Sequence, residues 1–91
     1  MRESSFKVPE GKLIKVKLWV SSGEISEIKI LGDFFLHPEE TLLQLEDSLI
    51  GLTADITTIE KTIVNALKDS TLIGATAADI AKTIMMAWDS L

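Results

Sequence analysis

The chain has 91 residues, 46% of them hydrophobic, with no cysteine and a net charge of −5. That length holds one domain able to bury roughly 60 to 70% of its unfolded surface, which leaves little room for a catalytic cleft between two domains. The missing cysteines exclude disulfides, thiolate metal sites and a cysteine nucleophile, and they give no sign of an oxidising compartment, so a cytoplasmic location is the expectation. The acidic balance disfavours a nucleic-acid partner, because phosphate neutralisation requires clustered Lys and Arg.

The N-terminal Met1-Arg2-Glu3-Ser4-Ser5 mixes charges and runs into no apolar stretch of signal-peptide length. No segment approaches the roughly 20 apolar residues needed to span a bilayer, and no membrane partner is expected. Charge is uneven along the chain. Residues 1–31 carry six basic and four acidic residues, whereas residues 32–91 carry three basic and ten acidic, giving a mildly basic first third and an acidic remainder. Ordinary solvated faces account for this, and so do two partners of opposite charge.

Lys12 to Val20 alternates, with Ile14, Val16, Leu18 and Val20 on one face and Leu13, Lys15, Lys17 and Trp19 on the other, which predicts a half-buried strand. Ser21-Ser22-Gly23-Glu24 has turn chemistry, and Glu24 to Leu31 returns with Ile28 and Ile30 on one face, completing an antiparallel hairpin. Asp33 to Leu36 is a candidate for a short third strand, since an isolated hairpin is marginal in water. Pro38 is placed for the first turn of a helix, followed by Glu39 and Glu40 at the positive end of its dipole. Leu42, Leu43, Leu45, Leu49 and Ile50 supply that helix's apolar stripe and Gly51 its stop. Thr57-Thr58-Ile59-Glu60 has capping-box spacing ahead of Ile63, Val64 and Leu67, and Thr76-Ala77-Ala78-Asp79 opens a third helix bearing Ile80, Ile84, Met85 and Trp88. The order predicts an α+β fold: a small antiparallel sheet covered by about three helices, in a single domain over residues 1–91. There is no internal repeat or linker.

Little of this supports chemistry. His37 has no cysteine or second histidine beside it and is expected at the boundary of the first helix. No serine sits in a nucleophile elbow, and Glu39-Glu40 and Glu46-Asp47 read as helix-surface pairs. Asp33 reads as a turn cap after Gly32. Neither phosphate-cradling glycine motif is present, so no cofactor is expected to bind this chain alone. Met85-Met86-Ala87-Trp88 either closes the core with alternate members or offers a soft contact surface. Trp19 shares the lysine-bearing strand face, and is either covered by helices or a binding anchor.

Several pieces taken together resemble the small accessory domain at the C-terminal end of lipoate-protein ligases: Val8-Pro9-Glu10-Gly11-Lys12-Leu13, the Gly23-Glu24-Ile25 return, the Gly32-Asp33-Phe34-Phe35 step and the Pro38-Glu39-Glu40 helix start. Glu10 departs from the glycine expected in the opening motif. Such ligases use ATP to activate lipoate to lipoyl-AMP and pass the lipoyl group to a lysine of an acceptor domain. The resemblance implies a protein that docks on a lipoate-protein ligase catalytic subunit, forms a heterodimer with it, meets acceptor domains transiently, and leaves ATP and lipoate to the complex. The opening Met1 suits a naturally separate subunit. Within this reading the interface candidates are Gly11, Lys12, Trp19, Asp33, Phe34 and Phe35. Lys12 would meet a phosphate or an acidic patch, and one of the two phenylalanines would fill the core while the other reaches out. The alternative is a non-catalytic adaptor with an acidic helical face, unrelated to lipoylation.

Overall fold

The structure, a computed structural model, describes residues 1–90. Its principal sheet has three antiparallel strands in the order β1 (Arg2–Lys7), β2 (Leu13–Ser21) and β3 (Glu24–Gly32). β2 and β3 form the expected hairpin, closed by Ser22 and Gly23 at φ 54° and 78°. Two central residues of positive φ are what a two-residue turn needs if its twist is to match that of the strands. The register slips at Trp19/Val20, where β3 carries one extra residue as a bulge.

The third strand of this sheet is β1 and not the step after Gly32. Its polar sequence hides it, because the inward positions Arg2 and Ser4 are satisfied by a helix backbone instead of by apolar packing. Arg2 Nη1 donates to the Trp88 carbonyl at 2.8 Å and Ser4 Oγ to the Thr83 carbonyl at 2.7 Å. Phe6, the one large apolar residue of the strand, packs on the core edge beneath the Lys82 ammonium, 4.4 Å from the ring centroid.

Beyond the sheet follow β4 (Phe35–His37), α1 (Glu40–Leu49), α2 (Ile56–Ala66), β5 (Thr71–Ile73) and α3 (Ala77–Asp89). β4 pairs with β5 as a separate two-stranded ribbon. α3 lies over β1 and β2, α1 lies along β3, and α2 packs on both other helices. α1 and α3 bury their apolar sides against one face of the sheet, and α2 buries its own against those two helices. Ile14, Val16, Leu18, Ile28 and Ile30 from the strands meet Leu45, Leu49, Ile59, Ile63, Ile80 and Ile84 from the helices in one core. Among the described residues no helix lies on the opposite face of the sheet.

The helix starts differ from their sequence signals in two cases. α1 begins at Glu40 with Glu39 as its N-cap, so Pro38 lies before the helix and its carbonyl accepts from Thr41 N–H at 3.1 Å. α2 is capped not by Thr57 but by Asp55, whose carboxylate accepts from the N–H groups of Thr57 and Thr58. Asp is a stronger cap than Thr and fits two residues earlier. These bonds, with the Thr58 hydroxyl contributing first, hold the Asp55 carboxyl below the usual aspartate range. The capping box of Thr76 and Asp79 at α3 forms as the spacing predicts.

One residue read as helix surface lies elsewhere. Glu46 is only 8% exposed, and its carboxylate accepts from Ile30 N–H of the edge strand β3 at 2.8 Å. The loop after α1 continues this cover, with Ile25 N–H donating to the Leu52 carbonyl and Gly51 N–H to the Ile25 carbonyl. An open strand edge is thereby closed. Conversely, Leu43, Ile50 and Val64, read as apolar stripe, are exposed.

Candidate functional site

Five of the six candidate residues converge on one corner, built by three turns of chain. The first is the loop between β1 and β2. Val8 N–H donates to the Lys12 carbonyl and Gly11 N–H to the Val8 carbonyl, while the Lys7 ammonium bonds the Gly11 carbonyl. Glu10 adopts φ 59°, in the left-handed region that favours glycine, which is the conformation the departure from the motif must accommodate.

The second turn is Gly32-Asp33-Phe34. Asp33 Oδ1 accepts from Leu13 N–H at 2.6 Å, and Asp33 N–H donates to the Leu13 carbonyl at 3.3 Å. Gly32 sits at φ 151°, and a Cβ there would fall 2.1 Å from the Leu13 carbonyl oxygen, so this crossing admits no side chain. The third turn is the one after β5. Lys12 N–H donates to the Gly74 carbonyl at 2.9 Å. A Cβ on Gly11 would lie 2.6 Å from that carbonyl oxygen, and one on Gly74 would lie 2.3 Å from Lys12 Cγ. The backbone that approaches Gly11 is thus the chain's own, and the Lys12 stem runs across Gly74 before its ammonium reaches solvent.

From this corner the two phenylalanines part. Phe34 is half-buried and packs on the core, whereas Phe35 begins β4 and is 57% exposed. Opposite Phe35 on β5 stands Ile73, 56% exposed, and two residues along β4 the His37 ring stacks on Phe35 with centroids 6.2 Å apart and planes 12° apart. Leu36 and Leu72, paired in the middle of the ribbon, turn the other way, and Leu72 joins the partly buried ring around the core. The ribbon therefore uses strand alternation to hold itself down with one face and offer Phe35, Ile73 and the His37 ring on the other. Ile73 and Gly74 belong to this site but escaped the sequence reading. The signal was Thr71-Leu72-Ile73-Gly74, a short run with β-branched Thr71 and Ile73 around Leu72 and stopped by glycine, too short to stand out from a loop.

Trp19 is not at the corner. It lies on the uncovered sheet face, six residues along β2 from Leu13, a distance of roughly 20 Å at strand rise. In the Met85 to Trp88 segment three members face the core, Ala87 buried and Met85 and Trp88 packed against it, and only Met86 is exposed, as a helix face and not strict alternation dictates. Among the described residues no three His, Cys, Asp or Glu side chains come together in a way that could hold a metal ion. Nor is any helix among them long and apolar enough to cross a membrane.

A three-stranded sheet backed by three helices, with a glycine-locked corner carrying an apolar ribbon, defines a small α+β domain. Residues 3–84 match the family described as the bacterial lipoate protein ligase C-terminus, and the chain belongs to that family. Similarity extends to the lipoate-protein ligase A subunit 2 of Thermoplasma acidophilum, 41% identical over 51 residues. That alignment takes in 56% of this chain and 53% of the relative, about half the length of each. The fold resembles a chain from a solved archaeal lipoylation system of the same organism, a bi-partite lipoate protein ligase with its lipoyl domain. The TM-score is 0.72 and the identity 28%, with 91% of this chain and 90% of that chain covered.

Proposed function

We propose that this protein is the accessory subunit of a two-component lipoate-protein ligase, docking on a separate catalytic chain and enabling it to convert lipoate and ATP to lipoyl-AMP. Family membership and the likeness to one part of a bi-partite ligase support the assignment. The observation that carries the docking is the Phe35–Ile73 pair, two large apolar side chains more than half exposed on a ribbon whose other face is anchored. An aromatic anchor beside a second apolar residue, with a cationic side chain close by at Lys12, is the make-up of an interface centre and its rim.

Such docking helps adenylation without contributing a reacting group. The lipoate carboxylate attacks the α-phosphorus of ATP, pyrophosphate leaves, and the product is a mixed anhydride that water would destroy. A subunit that orders the mobile loops around the partner's site and keeps water out protects that intermediate. ATP and lipoate belong to the complex, and this chain alone holds neither.

The test is lipoyl-AMP formation by the catalytic chain with and without an equimolar amount of this protein. Formation only in the presence of both chains supports the assignment. Equal formation without it overturns the assignment and favours an adaptor acting outside lipoylation.

A further inference from the structure

The face of the sheet turned away from the helices carries a second surface. Its β2 row is Leu13, Lys15, Lys17 and Trp19, and across from it on β3 stand Leu31 opposite Lys15, Lys29 opposite Lys17 and Glu27 opposite Trp19. Lys15, Lys29 and Leu31 are exposed, and Lys17 and Trp19 are half-buried although no helix among the described residues covers them. On the outer strand Glu3 stands opposite Lys17 and Ser5 opposite Lys15. Three lysines therefore cluster on a protein whose net charge is −5. Two of them, Lys17 and Lys29, are direct cross-strand partners, an arrangement that lowers sheet stability. Glu3 offsets part of this from the other side of Lys17, but Lys15 stands between Ser5 and Leu31 and Lys29 has only Lys17 across from it, so neither has an acidic cross-strand partner and the face keeps an excess of positive charge.

We infer that this lysine and tryptophan face receives an acidic surface of the protein that accepts the lipoyl group, while the Phe35 ribbon holds the catalytic chain. The inference rests on the function proposed above. The two surfaces differ as lasting and passing contacts differ. A subunit interface that persists is rich in apolar residues, as at Phe35 and Ile73. An acceptor must arrive, react and leave, and a charged face serves that by raising the encounter rate without locking the complex. Trp19, at the far end of β2 from the corner, supplies an amphipathic contact at the edge of the charged area. The strongly acidic balance of the rest of the chain argues against nucleic acid or an anionic membrane as the occupant, because the helical side would be repelled from either.

The experiment uses the assembled two-chain ligase and its lipoyl-acceptor domain. The triple variant K15E/K17E/K29E, with the neutral K15Q/K17Q/K29Q as a second, is compared with the natural protein after circular dichroism shows that each is folded. Expected is a rise of about tenfold in KM for the acceptor at low ionic strength for the charge reversal and a smaller rise for the neutral variant. The difference should close as salt is raised, with lipoyl-AMP formation in the absence of acceptor unchanged. An unchanged KM for the acceptor overturns the inference. So does loss of lipoyl-AMP formation or of association with the catalytic chain, which would make this face part of the subunit interface. Binding of duplex DNA or phosphatidylserine vesicles through these lysines, with no effect on the acceptor, also overturns it. If the natural protein does not promote lipoyl-AMP formation at all, the failure lies in the proposed function itself.

Discussion

Asp33 and Leu13 hold each other through both backbone groups of Leu13: the Asp33 carboxylate accepts its N–H at 2.6 Å, and the Asp33 N–H donates to its carbonyl at 3.3 Å. This closes the start of β2 onto the end of β3 and sets the direction in which Phe34 and Phe35 leave the sheet. Replacing Asp33 with Ala removes an ionised acceptor at a solvent-exposed joint. The expected loss is about 1 kcal/mol in urea unfolding, with Asp33→Asn losing less because its amide oxygen still accepts. A stability equal to the natural protein's for Asp33→Ala would show that the joint is held by its glycines alone.

Glu46 gives a sharper contrast. Its carboxylate meets Ile30 N–H in a buried setting, so Glu46→Ala leaves that donor without a partner and should cost about 2 kcal/mol. Glu46→Gln keeps an acceptor in place and should cost less than half of that. Hydrogen exchange at the Ile30 amide provides the local check, rising strongly in the Ala variant and little in the Gln variant.

These two residues also mark the limit of what the sequence discloses. The hairpin, the core face of β2 and the capping box at Thr76 and Asp79 are legible because they depend on neighbours in the chain: alternation, turn chemistry and an i, i+3 spacing. β1 is not legible, because its inward residues Arg2 and Ser4 are satisfied by carbonyls 86 and 79 residues away. Glu46 looks like any charged helix residue until β3 is laid beside it. At the corner, Gly11, Lys12, Asp33, Phe34 and Phe35 are recognisable as a motif, yet the piece that joins them, Ile73-Gly74, is distant in sequence. Trp19 shares a pattern with Lys15 and Lys17 that suggests exposure, but only the position of the helices tells which side of the sheet is bare.

Phe34 and Phe35 are adjacent and should behave oppositely. Phe34→Ala opens part of the core rim and is expected to destabilise the isolated protein by about 2 kcal/mol. Phe35→Ala should change the unfolding midpoint little, while weakening association with the catalytic chain by more than about 1 kcal/mol. Calorimetric titration of the catalytic chain with each variant, alongside thermal unfolding, separates the two roles. A collapsed fold in Phe35→Ala would assign that ring to the core.

Asp55 makes one helix cap dependent on pH. Its carboxyl titrates below the usual aspartate range in the folded protein, chiefly through the Thr58 hydroxyl, and at the ordinary value once unfolded. The cap's contribution is therefore complete above the unfolded value and is lost as pH falls through the lower folded one. Asp55→Ala should be less stable than the natural protein at neutral pH, with the gap closing only in the acid range below the usual aspartate value. Asp55→Asn, which caps without titrating, should show no such closing. Thermal unfolding of all three proteins between neutral and strongly acid pH reads the difference.

Docking through Phe35 is tested most directly by titrating the catalytic chain with increasing amounts of this protein and following lipoyl-AMP, comparing the natural sequence with Phe35→Ala. Expected is a saturable rise that levels off at one accessory chain per catalytic chain, and for Phe35→Ala the same plateau reached at an accessory concentration at least about fivefold higher. A catalytic chain that forms lipoyl-AMP at full rate alone, or identical titration curves for the two proteins, would contradict it.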